Sequence, residues 1–256
     1  QVQKLYDVFK SQGYSGEEAN DKIEESIHLE HIIREASRSW DGGFVIVGAT
    51  GSGDSFIFRD RWGIRPGHYY VDDEIFVAAS ERAVIQTVMN VDKDQVKVLN
   101  PGEAVVIKRD GSMKITQIAE PCDPHPCSFE RIYFSRGSDA DIYRERKELG
   151  RQLTPAILDA ISRDLDHTVF SFIPNTAETA YYGMMEGLDQ YLNELKAEQL
   201  ATAAKEDIPA ILAHKVRTEK LAVKDIQLRP FLAEGASRAD LAAHVFDVTY
   251  GALLPG

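Results

Sequence analysis

The chain has 256 residues, and its 41 acidic and 29 basic side chains give a formal net charge of −12. This balance argues against nucleic-acid binding, because a phosphate backbone requires clustered Lys and Arg. It still permits a small phosphate-bearing ligand, since one local pocket can oppose the net charge. No apolar run approaches the roughly 20 residues that span a bilayer, and the first residues lack a signal-peptide layout. The expected location is therefore the cytoplasm.

Both ends of the chain suggest a fragment of a longer protein. There is no initiator Met, and a predicted helix over residues 2–10 begins at once. The chain stops at residues 253–256, directly after a stretch with helical spacing. We therefore expect an internal piece.

The first part of the chain predicts helices followed by an antiparallel sheet. A helix is expected over 15–40, with Ser15 and Glu18 as a capping box. Asp110-Gly111 is typical of a tight hairpin turn. Strands are expected at 44–49, 55–59, 68–71, 74–79, 103–108 and 113–118, with a short helix at 81–88.

The Pro-rich stretch 118–128 is the predicted junction, which divides the chain into domains 1–120 and 121–256. Beyond it, strands alternate with long helices, a pattern that favours a parallel sheet. Strands are expected at 129–134 and 168–173, an extended segment at 221–232, and helices at 140–163 (interrupted near Thr154-Pro155), 176–204, 206–220 and 237–248.

Several segments resemble, in order, those of the amidophosphoribosyltransferases. Residues 59–66 read Arg-Asp-Arg-Trp-Gly-Ile-Arg-Pro, and 126–136 read Pro-Cys-Ser-Phe-Glu-Arg-Ile-Tyr-Phe-Ser-Arg. The other matching segments are 77–83, 100–103, 150–153 and 172–176. The resemblance covers residues 15 to about 185 and loosely the remainder.

The resemblance implies an α+β fold followed by an α/β fold. The first would be the C-terminal part of an N-terminal-nucleophile glutaminase β-sandwich with helices. The second would be the start of a type I phosphoribosyltransferase parallel sheet with a helical insert at 177–217, which we interpret as a solvated helical pair. The family's members are glycosyltransferases that use ammonia from glutamine to displace pyrophosphate from phosphoribosyl pyrophosphate. The product, phosphoribosylamine, opens purine synthesis, and a homo-oligomer is expected.

Two parts of the family's chemistry are missing from this sequence. The glutaminase nucleophile of the family is an N-terminal Cys, whereas position 1 here is Gln. Neither Cys122 nor Cys127 is in a position to replace it. The family's two Asp residues and Gly-Thr-Thr loop, which bind ribose and phosphate, are also absent and are expected after Gly256. The chain alone is therefore expected to be inactive.

Two parts of the substrate site remain as candidates. The family places its pyrophosphate loop where a strand meets a helix N-terminus, which can bind an anion. The alternative is that Asn175 or Thr176 only caps the helix. A second candidate segment, 221–233, resembles the start of the loop that closes over the substrate. The substrate-binding candidates are Pro174, Asn175, Thr176, Ala177, Lys224 and Arg229.

Other residues of the matching segments have structural interpretations. Arg59 and Asp60 are expected to form an ion pair or buried hydrogen bonds. Arg65 could contact substrate, although a role in fixing the loop is favoured. Ser80 and Glu81 are expected to cap the helix that follows.

The resemblance implies Mg²⁺ beside the pyrophosphate, since a divalent ion neutralises phosphate oxygens. An iron–sulfur cluster is not expected, because it needs four thiolates and the sequence holds two cysteines. Cys127 is then a small strand-edge residue. His28 and His31 lack a nearby third ligand and are interpreted as helix-packing or surface residues.

Two other functions stay open. The first is a different glutamine amidotransferase, such as a relative of asparagine synthetase, which the second half of the chain disfavours. The second is a non-catalytic regulatory or interaction protein that retains the scaffold without its active sites.

Overall fold

A computed structural model describes residues 2–224 and 246–248. The chain divides into two compact units after Arg136, and each unit is described by itself. The predicted domain boundary after residue 120 stays a prediction. None of the helices in the described ranges is long and apolar enough to cross a membrane.

The helices of the first unit differ from the prediction at 15–40. Instead of one helix, the chain has an extended break at Ile27 and His28, where the Lys108 ammonium donates to the Ile27 carbonyl at 3.2 Å. Ser15 occupies the helix-capping position without a side-chain hydrogen bond, so the predicted capping box is wrong. The helices are α1 Val2–Ser11, α2 Gly16–Ser26, α3 Leu29–Ser37 and α4 Arg82–Met89.

The strands of the first unit form two antiparallel sheets, which confirms the predicted antiparallel arrangement. Their strand orders are β1-β2-β6-β7 and β4-β3-β5. The hairpin at Asp110-Gly111 is also confirmed, with Gly111 at φ +84. The strands are β1 Val45–Ala49, β2 Ser55–Arg59, β3 His68–Val71, β4 Phe76–Ala79, β5 Lys97–Val98, β6 Glu103–Ile107 and β7 Met113–Gln117.

Alternation along β2 explains the layers of this unit. Successive side chains of a strand point to opposite faces, and Ile57 and Phe58 are both fully buried. Ile57 packs with Tyr69 of the second sheet, whereas Phe58 packs with Leu29 and Ile33 of α3. The unit is therefore a sandwich with a helical layer on one sheet.

The second unit combines helices with short strands. A parallel pair, β8 and β9, is in register at Val169 and Arg217, while β10 and β11 pair antiparallel. The elements are α5 Ala140–Gln152, α6 Thr154–Ala160, β8 Val169–Phe170, α7 Glu178–Leu200, α8 Ile208–Ala213, β9 Arg217–Thr218, β10 Ala222–Lys224 and β11 Phe246–Val248. Together, the two units confirm the expected fold class.

Several predicted elements of the second half need correction. Residues 130–134 form a short π-helical turn, not a strand, in which the Ser135 amide donates to the Glu130 carbonyl at 2.7 Å. The helix predicted at 206–220 is only Ile208–Ala213, because the chain then joins the parallel pair. Phe246–Val248 is a strand instead of the end of a helix, and residues 237–245 lie outside the described ranges.

The core of the second unit lies between α6, α7 and the parallel strands. Leu158, Phe170, Leu188, Leu192 and Val216 are its main buried members. Leu188 and Leu192 belong to α7, so one side of that helix is buried in the core. The interpretation of residues 177–217 as a solvated helical pair is therefore wrong for α7.

Helices α5 and α7 contact each other through their backbones. A Cβ added to Gly150 would lie 1.7 Å from the Ala180 carbonyl oxygen, and one added to Gly183 would lie 1.8 Å from that of Lys147. Only a residue without a side chain fits at either position. The hydroxyl of Thr154 packs over Gly187 in the same way, 2.1 Å from the position a Cβ would take.

Candidate functional site

The carboxyl ends of β8 and β9 meet at one edge, because the two strands are parallel. The Glu219 amide continues the pairing by donating to the Phe170 carbonyl at 3.1 Å. Beyond it, the Leu221 amide donates to the Ser171 hydroxyl at 3.1 Å. The segments that follow the two strands therefore lie side by side, at the kind of edge where open α/β sheets bind ligands.

The loop 174–177 leads from this edge into α7. Pro174 is buried, while Asn175 and Ala177 are exposed. Asn175 and Ala177 accept the amides of Glu178 and Tyr181 through their backbone carbonyls, at 3.2 and 2.9 Å. Ala177 occupies the capping position and no side chain caps the helix, so the alternative of an Asn175 or Thr176 side-chain cap is wrong.

Tyr181 ties the loop and both strands together. Its ring lies 4.9 Å from that of Phe172, and its hydroxyl donates to the Phe170 carbonyl at 3.4 Å. Burial raises the pKa of Tyr181, opposed by a hydrogen bond with Thr218 of β9 and reinforced by the charge of Glu219. From the sequence, no role was assigned to Tyr181, so its contacts with the loop and both strands were missed.

Of the two predicted cations, one lies in this region of the fold. Lys224 ends β10, the strand that begins just after Leu221, and it is half-buried with interactions of its own. Arg229 lies outside the described residues. The fold thus brings 174–177 and the strand that carries Lys224 to one edge, and their role in binding stays a prediction.

The segment 59–66 is organised around a buried carboxylate in the first unit. Asp60 is 0% exposed, and its two oxygens accept four backbone N–H groups. The donors and distances are Phe44 at 3.2 Å, Trp62 at 3.1 Å, Ile64 at 2.9 Å and Arg65 at 3.1 Å. A buried carboxylate is stable when it accepts several such bonds.

Arg59 stabilises the same loop from the other side. Its guanidinium donates to three backbone carbonyls, those of Arg65 at 2.7 Å, Leu99 at 2.6 Å and Gly63 at 2.9 Å. Burial lowers the pKa of Arg59, while the charge of Asp60 opposes that shift. The structural interpretation of Arg59 and Asp60 as a buried hydrogen-bonding centre is confirmed.

Two acidic side chains link this region to the end of the unit. Arg65 forms an ion pair with Glu130, so the favoured loop-fixing role of Arg65 is supported by its contact. Glu81 does not cap α4 with its side chain; instead it accepts the Arg136 amide at 3.1 Å and lies 3.5 Å from the Arg136 guanidinium. The predicted cap is therefore wrong for Glu81.

The cysteines are free thiols in this structure. The Arg61 guanidinium donates to the Cys122 sulfur at 3.0 Å. Within the described part of the chain, no group of three or more His, Cys, Asp or Glu side chains could hold a metal ion.

The family model for class-II glutamine amidotransferases matches residues 17–120. An amidophosphoribosyltransferase of Pseudomonas aeruginosa is 29% identical over 147 residues, which are 54% of this chain and 28% of that protein. The enzyme of the same name from Saccharomyces cerevisiae is 30% identical over 161 residues, 58% of this chain and 31% of that protein. Over these parts of its length, the chain is similar to the amidophosphoribosyltransferases and diverges from them in sequence.

The fold of the chain agrees with that similarity. It matches glutamine phosphoribosylpyrophosphate amidotransferase from B. subtilis, solved with ADP and GMP, at a TM-score of 0.58 and 19% identity. The match covers 98% of this chain and 50% of that one. The chain thus spans half of that structure, and its alignments span less than a third of the curated relatives above.

Proposed function

We propose that this chain is part of an amidophosphoribosyltransferase, in which ammonia released from glutamine displaces pyrophosphate from phosphoribosyl pyrophosphate to give phosphoribosylamine. The observation that carries the proposal is the edge beyond β8 and β9. There, the loop 174–177 at the start of α7 and the strand bearing Lys224 follow neighbouring parallel strands. The amidotransferase family match over residues 17–120 supports the nitrogen-releasing half.

The chemistry of such an edge suits a diphosphate leaving group. The first N–H groups of a helix have no partner within the helix, so they can donate to phosphate oxygens. Cations at Lys224 and Arg229 would oppose the charge that develops on pyrophosphate as the bond to ribose breaks. The substrate would enter as its magnesium complex, in which the ion neutralises adjacent phosphate oxygens.

The direct test is an assay of the product of the complete open reading frame. We expect pyrophosphate release that requires phosphoribosyl pyrophosphate together with either glutamine or ammonia. The absence of pyrophosphate release with both glutamine and ammonia would contradict the proposal and favour a non-catalytic protein on the same scaffold. Nitrogen transfer that depends on ATP instead would indicate a different glutamine amidotransferase.

The substrate edge has its own test. Lys224→Ala should raise the KM for phosphoribosyl pyrophosphate by about tenfold or more, because a hydrogen bond to a charged group contributes about 1.5–3 kcal/mol. Lys205→Ala, an exposed position after α7, is the matched control and should leave that KM unchanged. Equal KM values in the two variants would show that Lys224 does not contribute to binding phosphoribosyl pyrophosphate.

A further inference from the structure

We propose that loop 59–65 anchors residues 121–136, here called the connecting segment, and that the Arg65–Glu130 ion pair makes Glu130 a positioning residue for nitrogen transfer. The connecting segment is the last part of the first unit and leads directly into the second. The proposal rests on the proposed function, because it concerns how ammonia released in one unit is used by the other.

The connecting segment runs along the loop through a series of backbone hydrogen bonds. The Cys122 amide donates to the Arg61 carbonyl at 2.8 Å, and the His125 amide donates to the Trp62 carbonyl at 2.9 Å. A longer bond of 3.4 Å joins the amide of Cys127 to the carbonyl of Ile64. Contact is therefore maintained along the loop up to the residue before Arg65.

The series of hydrogen bonds ends at the ion pair between Arg65 and Glu130. The Glu130 side chain is 9% exposed and the Arg65 side chain 39% exposed. A carboxylate removed from water needs a charged or hydrogen-bonded partner, and breaking a buried pair on one side leaves an uncompensated charge. Glu130 is thus held at one place relative to the loop, and the π-helical turn that follows starts from that point.

A second contact holds the far end of the connecting segment. Glu81, just before α4, binds both the amide and the guanidinium of Arg136. The turn over 130–134 therefore lies between two charged contacts that belong to different parts of the sandwich.

The loop can act as an anchor because it is itself rigidly held. Asp60 and Arg59 bind its backbone from both sides, as described above. Gly63 has φ +62, and a Cβ there would lie 2.9 Å from the Pro101 ring. A site works best when its supporting residues are themselves locked by packing and hydrogen bonds.

The consequence concerns where the ammonia goes. Under the proposed function, the released ammonia must reach phosphoribosyl pyrophosphate before it escapes into solvent, and the connecting segment is the stretch of chain that leads from one unit into the other. A connecting segment released from its anchor should therefore lower the amount of phosphoribosylamine formed per glutamine hydrolysed. Reaction with added ammonia should be nearly unaffected.

The anchoring itself is tested by amide hydrogen exchange on this chain. In Glu130→Gln, the amides of Cys122, His125 and Cys127 should exchange at least tenfold faster, while those of β2 keep their rates. Glu35→Gln, which breaks an exposed pair with Arg38, is the matched control. Unchanged exchange in the connecting segment would overturn the proposal. If Glu130→Gln fails to fold, Arg65→Lys keeps the charge without the forked guanidinium and should give the same shift at a smaller size.

The coupling is tested on the product of the complete open reading frame. We expect Glu130→Gln to lower the ratio of product to hydrolysed glutamine at least twofold, with ammonia-dependent synthesis and glutamine hydrolysis each within twofold of the unsubstituted protein. A ratio equal to that of Glu35→Gln would overturn the positioning role. If the unsubstituted protein makes no product from either nitrogen source, the proposed function fails and the coupling claim with it, while the exchange result still decides the anchoring.

Discussion

The loop 59–65 and the crossing of α5 with α7 solve the same problem in opposite ways. Each brings two stretches of backbone into close contact, the first within the sandwich and the second within the helical unit. The loop does so with charged side chains, the buried Asp60 and the half-buried Arg59, that bind peptide groups. The helices do so by having no side chain at Gly150 and Gly183.

The difference follows from where the backbone hydrogen bonds go. Peptide groups in a helix interior are satisfied within the helix, so two helices only need shapes that fit. An irregular loop has no such ladder, and its buried N–H and C=O groups must find partners elsewhere. The loop should therefore be sensitive to loss of charge or hydrogen bonds, and the helix crossing to added volume.

The largest effect is expected for Asp60→Ala. It leaves four backbone N–H groups without their acceptor, and the loss of a buried charged partner costs about 3–5 kcal/mol. Urea unfolding followed by tryptophan fluorescence measures it, since the two tryptophans, Trp40 and Trp62, both lie in the first unit. Asp73→Ala, at an exposed turn position, should change the free energy of unfolding by less than about 0.5 kcal/mol. A similar small change in Asp60→Ala would contradict the comparison.

Gly183→Ala should come next. The added methyl group cannot coexist with the Lys147 carbonyl at 1.8 Å, so the helices must separate, at a cost of about 2–3 kcal/mol. Hydrogen exchange of the α7 amides should accelerate while tryptophan-detected unfolding of the first unit stays the same. Gly51→Ala has nothing within 4 Å of the new Cβ and is the matched control. Slower exchange in α7 would mean that the alanine's helix propensity outweighs the clash.

Arg59→Lys keeps the positive charge but removes the planar guanidinium that binds the loop. A lysine ammonium cannot reproduce the planar fork that reaches three separate carbonyls, so we expect a loss of about 2 kcal/mol in the free energy of unfolding. Arg38→Lys, at an exposed surface position, should have little effect in the same urea titration. If the two variants were equally stable, charge rather than hydrogen-bond geometry would hold the loop.

The smallest effect concerns an exposed turn where a carboxylate also binds backbone. The pKa of Asp72 lies below its ordinary value of 3.8 because its oxygens accept the amides of Glu74 and Ile75 and the hydroxyl of Tyr70. A carboxylate with a depressed pKa stabilises the fold above its unfolded pKa, and that contribution disappears as pH falls through the folded pKa. Tyr70→Phe should therefore raise the pKa of Asp72 toward 3.8 without reaching it. An NMR titration of the Asp72 carboxyl carbon measures the shift, and an unchanged midpoint would contradict it.

Local sequence patterns predicted much of the first unit. The hairpin at Asp110-Gly111 follows from the turn preferences of the two residues. The positions of the strands along the chain follow from short β-rich runs separated by turns. The break at Ile27 and His28 was not predictable, because it depends on Lys108, a residue far along the chain. The π-helical turn at 130–134 was missed for a different reason, since its apolar and aromatic residues are equally compatible with a strand.

For the candidate site, the sequence indicated the loop 174–177 and Lys224 through resemblance alone. It did not indicate Tyr181, whose importance arises from contacts with both parallel strands. It favoured a loop-fixing role for Arg65 but did not indicate that Glu130 would be its partner.

Local preferences along the chain were enough to predict the class of fold, the hairpin at Asp110-Gly111 and the motifs that resemble those of the amidophosphoribosyltransferases. These depend on near neighbours in the chain, whose spacing and backbone preferences act locally. Which charged side chains hold the loop and which glycines lie at helix contacts became evident from the folded chain. Those roles depend on partners distant in sequence, and burial, which strengthens a paired charge and penalises an unpaired one, exists only once the chain has folded.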